Sequence, residues 1–490
     1  MSSEGLVRLP ILHSVAEFAS AAAALGLDLP LDAADAPDVS ALAEPIFVYG
    51  RQAANRFCIH PMEGWDGTPD GRPTELTARR WERFGRSGAG LIWGGEAVAV
   101  RHGGRANPHQ LVLRTDTAPD LEAILQRLLK AYQEATGSDG RPVVGLQLTH
   151  SGRYCRPSAW DRPEPCIAAN HPILDARMGL PSDTAPVSDG WIRSLIEDTA
   201  RAAALAHRIG FDFVDLKHCH GYFGHELLGA LHRPGGYGGC WENRTRYLRE
   251  LVQAVRSSAP GLGLAVRFSA FDTVPFMPDP YRSEPGKPGP GIPVPHCHCV
   301  PYEYGFGVDR DAPTDIDLSE PVRFMELLGQ LGVGAANITG GSPYYNPHIQ
   351  RPALYPPSDG YAPPEDPLIG VARHMHVTRA LKAVGAGPLV VGTAYTYLQD
   401  FLPNVAAAAV AQGWTDFVGL GRMVLSYPGM PLDVLEGRLD RKRICRTFSD
   451  CTTAPRNGLP SGCYPLDENY KRSPEARLLA ERKSSARSSR

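Results

Sequence analysis

The sequence predicts an α/β fold, a (β/α)8 barrel with an N-terminal extension, a long insertion after strand 5 and a Cys-containing C-terminal extension. Three observations predict it. From about residue 46, short β-branched or apolar runs alternate with amphipathic stretches, the rhythm of βα units around a parallel sheet. A helix–Gly–strand frame recurs, with Asp-Phe-Val-x-Leu at 212–216 and again at 416–420. Glycines also mark the ends of the last three expected strands, at Gly340-Gly341, Gly392 and Gly421.

Taken in order, residues 1–45 are rich in Ala, Asp, Leu and Pro and read as a surface extension with one short helix. The barrel is expected over 46–440, its strands centred on 56–62, 90–97, 142–149, 211–217, 262–268, 333–339, 388–393 and 415–421. One unit shows the logic. Ser188 or Asp189 can cap a helix whose Trp191, Leu195, Ala202, Ala206 and Ile209 share a side; Gly210 stops it and Phe211 to Leu216 follow as a buried strand. A helix at 396–412 before Gly413 and a strand at 415–420 repeat the frame, and Gly332 to Ile338 is a looser copy. The segment 272–317 (PFMPDP, EPGKPGPGIPVP) is too long and too rich in proline and glycine for an ordinary connection, so it reads as a lid or capping insertion. Residues 441–471 read as an extension packing on the barrel, and 472–490, ending ERKSSARSSR, as a disordered tail.

Bulk properties exclude several classes. With 43% hydrophobic and 21% charged residues and a formal net charge of -3, nothing favours nucleic acid or an anionic membrane as partner. The start, MSSEGLVRLP, lacks a secretory pattern, and 18–27 is apolar but too short to span a bilayer. The expectation is a cytoplasmic enzyme acting on a small molecule, with homo-oligomerisation left open. Ten cysteines in a chain of this length do not suggest a disulfide scaffold.

In such barrels chemistry sits at the carboxyl ends of the strands. Those ends read His60-Pro61-Met62-Glu63, Glu96-Ala97, Gln147 with His150, Lys217 to Tyr222, Arg267, Thr339-Gly340-Gly341, Gly392-Thr393 and Gly421-Arg422. Backbone amides at the glycine-bearing ends can cradle a phosphate. Gln147 and Arg267 can serve a polar ring edge, so the set looks built for a phosphorylated, planar cofactor.

Seven segments in order carry a resemblance: NRFCIHPMEG (55–64), GLIWGGEAVAV (90–100), VVGLQLTHSGR (143–153), VDLKHCHGYFGHELL (214–228), GGYGGCWENRTRYLRE (235–250), LAVRFS (264–269) and DFVGLGR (416–422). Together they resemble the old yellow enzyme family, the FMN-dependent ene-reductases and their relatives 2,4-dienoyl-CoA reductase and trimethylamine dehydrogenase. The resemblance implies FMN, with NAD(P)H as a transient reductant. It implies that Pro61 and Met62 face the flavin N5 edge and that Ala97 and Gln147 bond the pyrimidine edge. Arg267 would approach N1 and O2, where charge builds on reduction, and Gly392, Thr393, Gly421 and Arg422 would hold the phosphate. Tyr222 matches the residue that protonates the alkene carbon opposite the one receiving hydride, and Trp65 matches an aromatic of the substrate pocket.

The departures are informative. Where the family places a His paired with another His or Asn, this chain has Lys217 and His220, which can still donate to an activating oxygen. Where relatives often carry Cys or Thr near the flavin, it has Glu63, and a Glu63–Lys217 pair across the reactive edge is expected. No metal is expected. His218 and His220 lack further ligands, and His296-Cys297-His298-Cys299 are too close in sequence to share one tetrahedral ion. His150 and His225 read as structural, and Cys219 as a small core residue. Cys451 and Cys463 reproduce the last spacing of iron–sulfur relatives, with Cys445 as one earlier ligand, but the fourth thiolate is missing and a [4Fe–4S] cluster is not expected. No GxGxxG joins a strand to a helix.

The reading is thus an ene-reductase acting on an activated C=C bond, possessing Lys217 and His220 as donors and Tyr222 as acid, with a bulky or cyclic substrate suggested by TGGSPYYNP (339–347). Its rivals are the same site run as a dehydrogenase or desaturase, and an FMN-free Lys217 Schiff-base lyase.

Overall fold

The computed structural model describes residues 5–357 and 359–488. Eight parallel strands close into a barrel. They are β1 (Phe57–Ile59), β2 (Leu91–Ile92, resumed at Ala97–Ala99), β3 (Val143–Thr149), β4 (Phe213–Leu216), β5 (Gly263–Phe271), β6 (Ala335–Gly340), β7 (Leu389–Gly392) and β8 (Phe417–Leu420). Each pairs with its sequence neighbour, and Leu420 opposite Ile59 closes the ring.

The inner layer explains the closure. Cys58, Leu91, Val143, Phe213, Ala265, Ala335, Val391 and Phe417, one from each strand, are fully or almost fully buried together. A hairpin, Ile46–Val48 paired with Arg51–Ala53, plugs the floor beneath them. Its Tyr49 stacks on Phe213 with centroids 4.8 Å apart and donates to Leu264 O at 2.9 Å. Chemistry is therefore confined to the opposite end.

Outside, seven main helices cover the strands: α1 (Glu75–Gly85), α2 (Ala118–Thr136), α3 (Asp189–Arg208), α4 (Arg246–Ser258), α5 (Ser319–Gln330), α6 (Pro367–Ala383) and α7 (Leu402–Ala411). Ser188 caps α3 by accepting from Trp191 N at 3.2 Å. The stretch expected as one helix over 396–412 is divided: Tyr395–Phe401 is a 3-10 segment with Gln399 at φ 52°, and α7 begins beside Pro403, whose ring favours a first helical turn.

Two expectations change. The tail from 472 is not disordered throughout, because Pro474–Ser488 is helical. Leu479 docks into a cluster with Ala454, Leu459, Tyr464 and Tyr470, and Lys483 bonds Asp450 at 2.7 Å; residues 489–490 lie outside the described ones. The insertion 272–317 forms its own small core, with Val274, Phe276, Cys299, Tyr302 and Val308 packed against Ile173 and Tyr361. Those apolar residues find partners there, beside the barrel mouth rather than across it. No described helix is long and apolar enough to cross a membrane.

Candidate active site

One large cleft, with about 1380 Å³ of open space including its mouth, occupies the carboxyl end of the barrel. It gathers Pro61, Met62, Glu63, Ala97, Gln147, Lys217, His220, Tyr222, Arg267, Thr393, Gly421 and Arg422. Gly392 and Trp65 do not line it. The Gly392 amide is already used, donating to Thr415 Oγ1 at 3.0 Å. Ala97 lines the cleft but its backbone is engaged: its N–H donates to Met62 O at 3.3 Å and its carbonyl accepts from Gln110 Nε2 at 2.7 Å.

One side of the cleft is a polar cluster. The Tyr222 hydroxyl donates to Glu63 Oε1 and lies 2.8 Å from the Tyr344 hydroxyl. Lys217 Nζ stands 3.6 Å from Glu63 Oε1 and 3.7 Å from the centre of the Tyr222 ring, and both a carboxylate and a ring face attract an ammonium. Burial, reinforced by Glu63, pushes the Tyr222 phenol well above its ordinary range. Tyr154 stacks on Tyr344 with centroids 3.9 Å apart, which stiffens this wall.

The backbone of the 217–222 segment is held in an unusual shape. His220 has φ 66° and Gly221 φ 77°, a left-handed pair that costs the histidine strain. Ser269 Oγ accepts from His220 N at 3.0 Å, and Ser342 Oγ donates to His220 O at 2.8 Å, so both backbone groups are fixed. The His220 Nε2 is buried without a partner, and burial with nearby Arg267 holds the ring neutral. His218 points elsewhere, its Nδ1 on Leu216 O at 2.9 Å.

The floor carries Gln147 and Arg267, both set by Asp215. That buried carboxylate accepts from Trp93 Nε1 at 2.7 Å, Gln147 Nε2 at 2.6 Å and Arg267 N at 2.7 Å. Gln147 therefore keeps its carbonyl oxygen as an acceptor for the cleft. Arg267 is buried, its Nε has no partner, and it makes no ion pair among the described residues. A buried cation left in this state calls for an anionic or electron-rich ligand.

At the other end Gly421 has nothing within 4 Å of a would-be Cβ. The amides of Thr393, Ala394, Gly421 and Arg422 have no protein acceptor among the described residues. Gly419 must be glycine, since a Cβ there would meet His60 Nε2 at 2.1 Å. Free amides at one end and a bare guanidinium with an amide oxygen at the other fit a phosphorylated, planar group.

Several lining residues escape a reading of strand ends. Arg351, Arg456, Thr447 and Thr452 come from the loop after β6 and from the C-terminal extension, which roof the cleft. Arg422 Nη1 donates to Cys451 O at 3.1 Å, and Ser461 Oγ to Glu63 O at 3.4 Å. The insertion 272–317 contributes no lining residue; it buttresses the wall through Tyr345 on Asp272 at 2.5 Å and Phe276 against His348, centroids 4.6 Å apart. Only Tyr344's place in SPYY, aromatic residues after a strand end, hinted at its role.

Residues 41–282 match the model of the NADH:flavin oxidoreductase / NADH oxidase family. Over 180 residues the chain is 35% identical to an NADPH dehydrogenase of Bacillus velezensis, covering 36% of this chain and 48% of that one. The chain thus spans about half the length of that curated relative, 48%. Among solved structures, a 2-naphthoyl-CoA reductase aligns with TM-score 0.62 at 16% identity, over 88% of this chain and 57% of the other. Morphinone reductase in complex with tetrahydroNAD aligns with TM-score 0.53 at 18% identity, over 88% and 99%. These two likenesses concern the fold.

Proposed function

We propose that the chain, whose residues 41–282 match the model of the NADH:flavin oxidoreductase / NADH oxidase family, is an FMN-dependent oxidoreductase that uses NAD(P)H to reduce an activated C=C bond. The observation that carries the reading is Arg267, a buried guanidinium without an ion-pair partner among the described residues, in one cleft with the amides of Gly421 and Arg422, which have no acceptor there either.

Gln147 and Arg267 would hold the pyrimidine edge of FMN, and the amides of Thr393, Gly421 and Arg422 its phosphate. When bound, the flavin supplies hydride chemistry between a nicotinamide and the alkene. The chain's own residues do the rest. Lys217 donates to the activating oxygen of the substrate, where negative charge develops. His220, neutral and with an unsatisfied Nε2, adds a second donor from its fixed loop. Tyr222 delivers the proton to carbon. Glu63 anchors that phenol, and the Tyr344 hydroxyl, 2.8 Å away, is placed to return a proton.

The Lys217 contacts with Glu63 and the Tyr222 ring support hydrogen-bond donation over Schiff-base chemistry. A visible spectrum of the purified protein, then anaerobic titration with NADH and NADPH, tests the cofactor. Turnover of a cyclic enone against its saturated product tests the direction. Protein that neither carries nor takes up FMN overturns the proposal.

A further inference from the structure

The loop that follows β3 carries a second cluster of chemically capable side chains, outside the cleft. His150, Cys155 and Cys166 bring one ligand atom each within 4.8 Å of one another, the one such group of His, Cys, Asp or Glu among the described residues. We propose that they form a site for a thiophilic divalent cation of the zinc type, seated behind the aromatic wall of the cleft.

The spacing is close to what such an ion needs. Cys155 Sγ lies 3.9 Å from His150 Nδ1. Zinc bonds of about 2.3 Å to sulfur and about 2.0–2.1 Å to nitrogen set tetrahedral ligand atoms roughly 3.5–3.8 Å apart. The Cys155–His150 pair is within about 0.4 Å of that spacing, and Cys166 lies within 4.8 Å of both. The backbone is already fixed: Glu164 N donates to Cys155 O at 2.8 Å, and Cys166 N to Gly152 O at 3.0 Å. Both cysteines are free thiols, so the two segments are held together without a covalent link.

The surroundings suit a cation. His150 is 5% exposed, Cys155 is fully buried and Cys166 is half-buried, which leaves one side for entry. His150 Nδ1 accepts from Gly152 N at 3.1 Å, and this lone pair is the one a cation would take over. Two thiolates would neutralise a divalent ion. Three protein ligands leave the fourth position of a tetrahedral ion to water. Arg101, the nearby positive charge, is paired with Asp198 and lies 5.1 Å over the Trp191 ring.

The consequence would be structural. The same loop places Tyr154, whose ring stacks on Tyr344, the hydroxyl partner of Tyr222. A cation tying His150 to both cysteines would pin this wall.

The test is zinc binding to the full-length, thiol-reduced protein, titrated against a chromogenic chelator. One site per chain is expected, retained when Cys445, Cys451 and Cys463 are all replaced by Ser and lost in Cys166→Ser. Cobalt gives a second readout: thiolate-to-cobalt charge transfer and tetrahedral d–d bands in the wild type, absent from Cys166→Ser. No zinc site in the wild type, or a site unaffected by Cys166→Ser, overturns the proposal. So does finding Cys155 and Cys166 joined as a disulfide that persists in the thiol-reduced protein.

Discussion

Lys217 Nζ stands 3.6 Å from Glu63 Oε1, with the Tyr222 ring 3.7 Å away on another side. The ammonium, the carboxylate and the phenol form one unit, so changing any of them changes the other two.

Replacing the phenol isolates the proton. Tyr222→Phe is expected to leave cofactor reduction by NAD(P)H intact and to slow enone turnover by about 10²–10⁴-fold. Stopped-flow separation of the two half-reactions checks this. Equal losses in both halves would show that Tyr222 acts on binding instead.

Replacing the carboxylate moves a titration. Glu63 helps raise the Tyr222 phenol, so the acid stays protonated to high pH. In Glu63→Gln the alkaline limb of substrate reduction should move down toward the ordinary phenol value of about 10. A pH–rate profile unchanged from the wild type would remove Glu63 from this role.

Replacing the ammonium tests donation. Lys217→Ala should retain FMN and lose about 10²–10³-fold in enone turnover, the effect of deleting one preorganised donor. Borohydride should trap no adduct on the wild-type lysine. Intact turnover in Lys217→Ala would dismiss it as a donor.

Acid should destabilise the fold early. Burial holds His150, His171, His225 and His348 down to about 3, and His218 and His374 to about 4. Unfolded histidines take up protons near pH 6.5, so below that value the unfolded chain binds more protons than the folded one. Stability should therefore fall as pH drops from about 6.5 toward 4, read as denaturant midpoints across that range. A flat profile there would mean that these rings reach solvent.

Arg80 is buried between Asp66 and Glu96 and bonds both. Arg80→Ala would strand two carboxylates, at a cost of about 3–5 kcal/mol, and would free Glu96, which also holds Gly64 N at 2.7 Å beside the site. Thermal unfolding of the variant measures it.

The barrel was legible because its period is: apolar runs ending in glycine or a polar residue recur eight times, and β1–β8 fall on them. Strand ends likewise pointed to Arg267, Gln147 and Tyr222, since barrel chemistry collects there. Tyr344, Arg351 and Arg456 lie in segments without periodicity, where only tertiary packing decides what faces the cleft. Gly392 looked like a phosphate ligand by its place at a strand end, yet Thr415 Oγ1 captures its amide, a side-chain competition that strand-end position does not reveal. The tail read as disordered because it is polar, yet Leu479 docked among Ala454, Leu459, Tyr464 and Tyr470, with Lys483 on Asp450, gives part of it partners.

The roof of the cleft has a consequence for biogenesis. Thr447, Thr452 and Arg456 are synthesised after every barrel strand, and they close over residues made much earlier, such as Met62. Because chains fold from their N-terminal side as they emerge, the barrel can form while its mouth is still open. A nascent chain could therefore admit a flavin to the barrel mouth before the segment that narrows that mouth has been made.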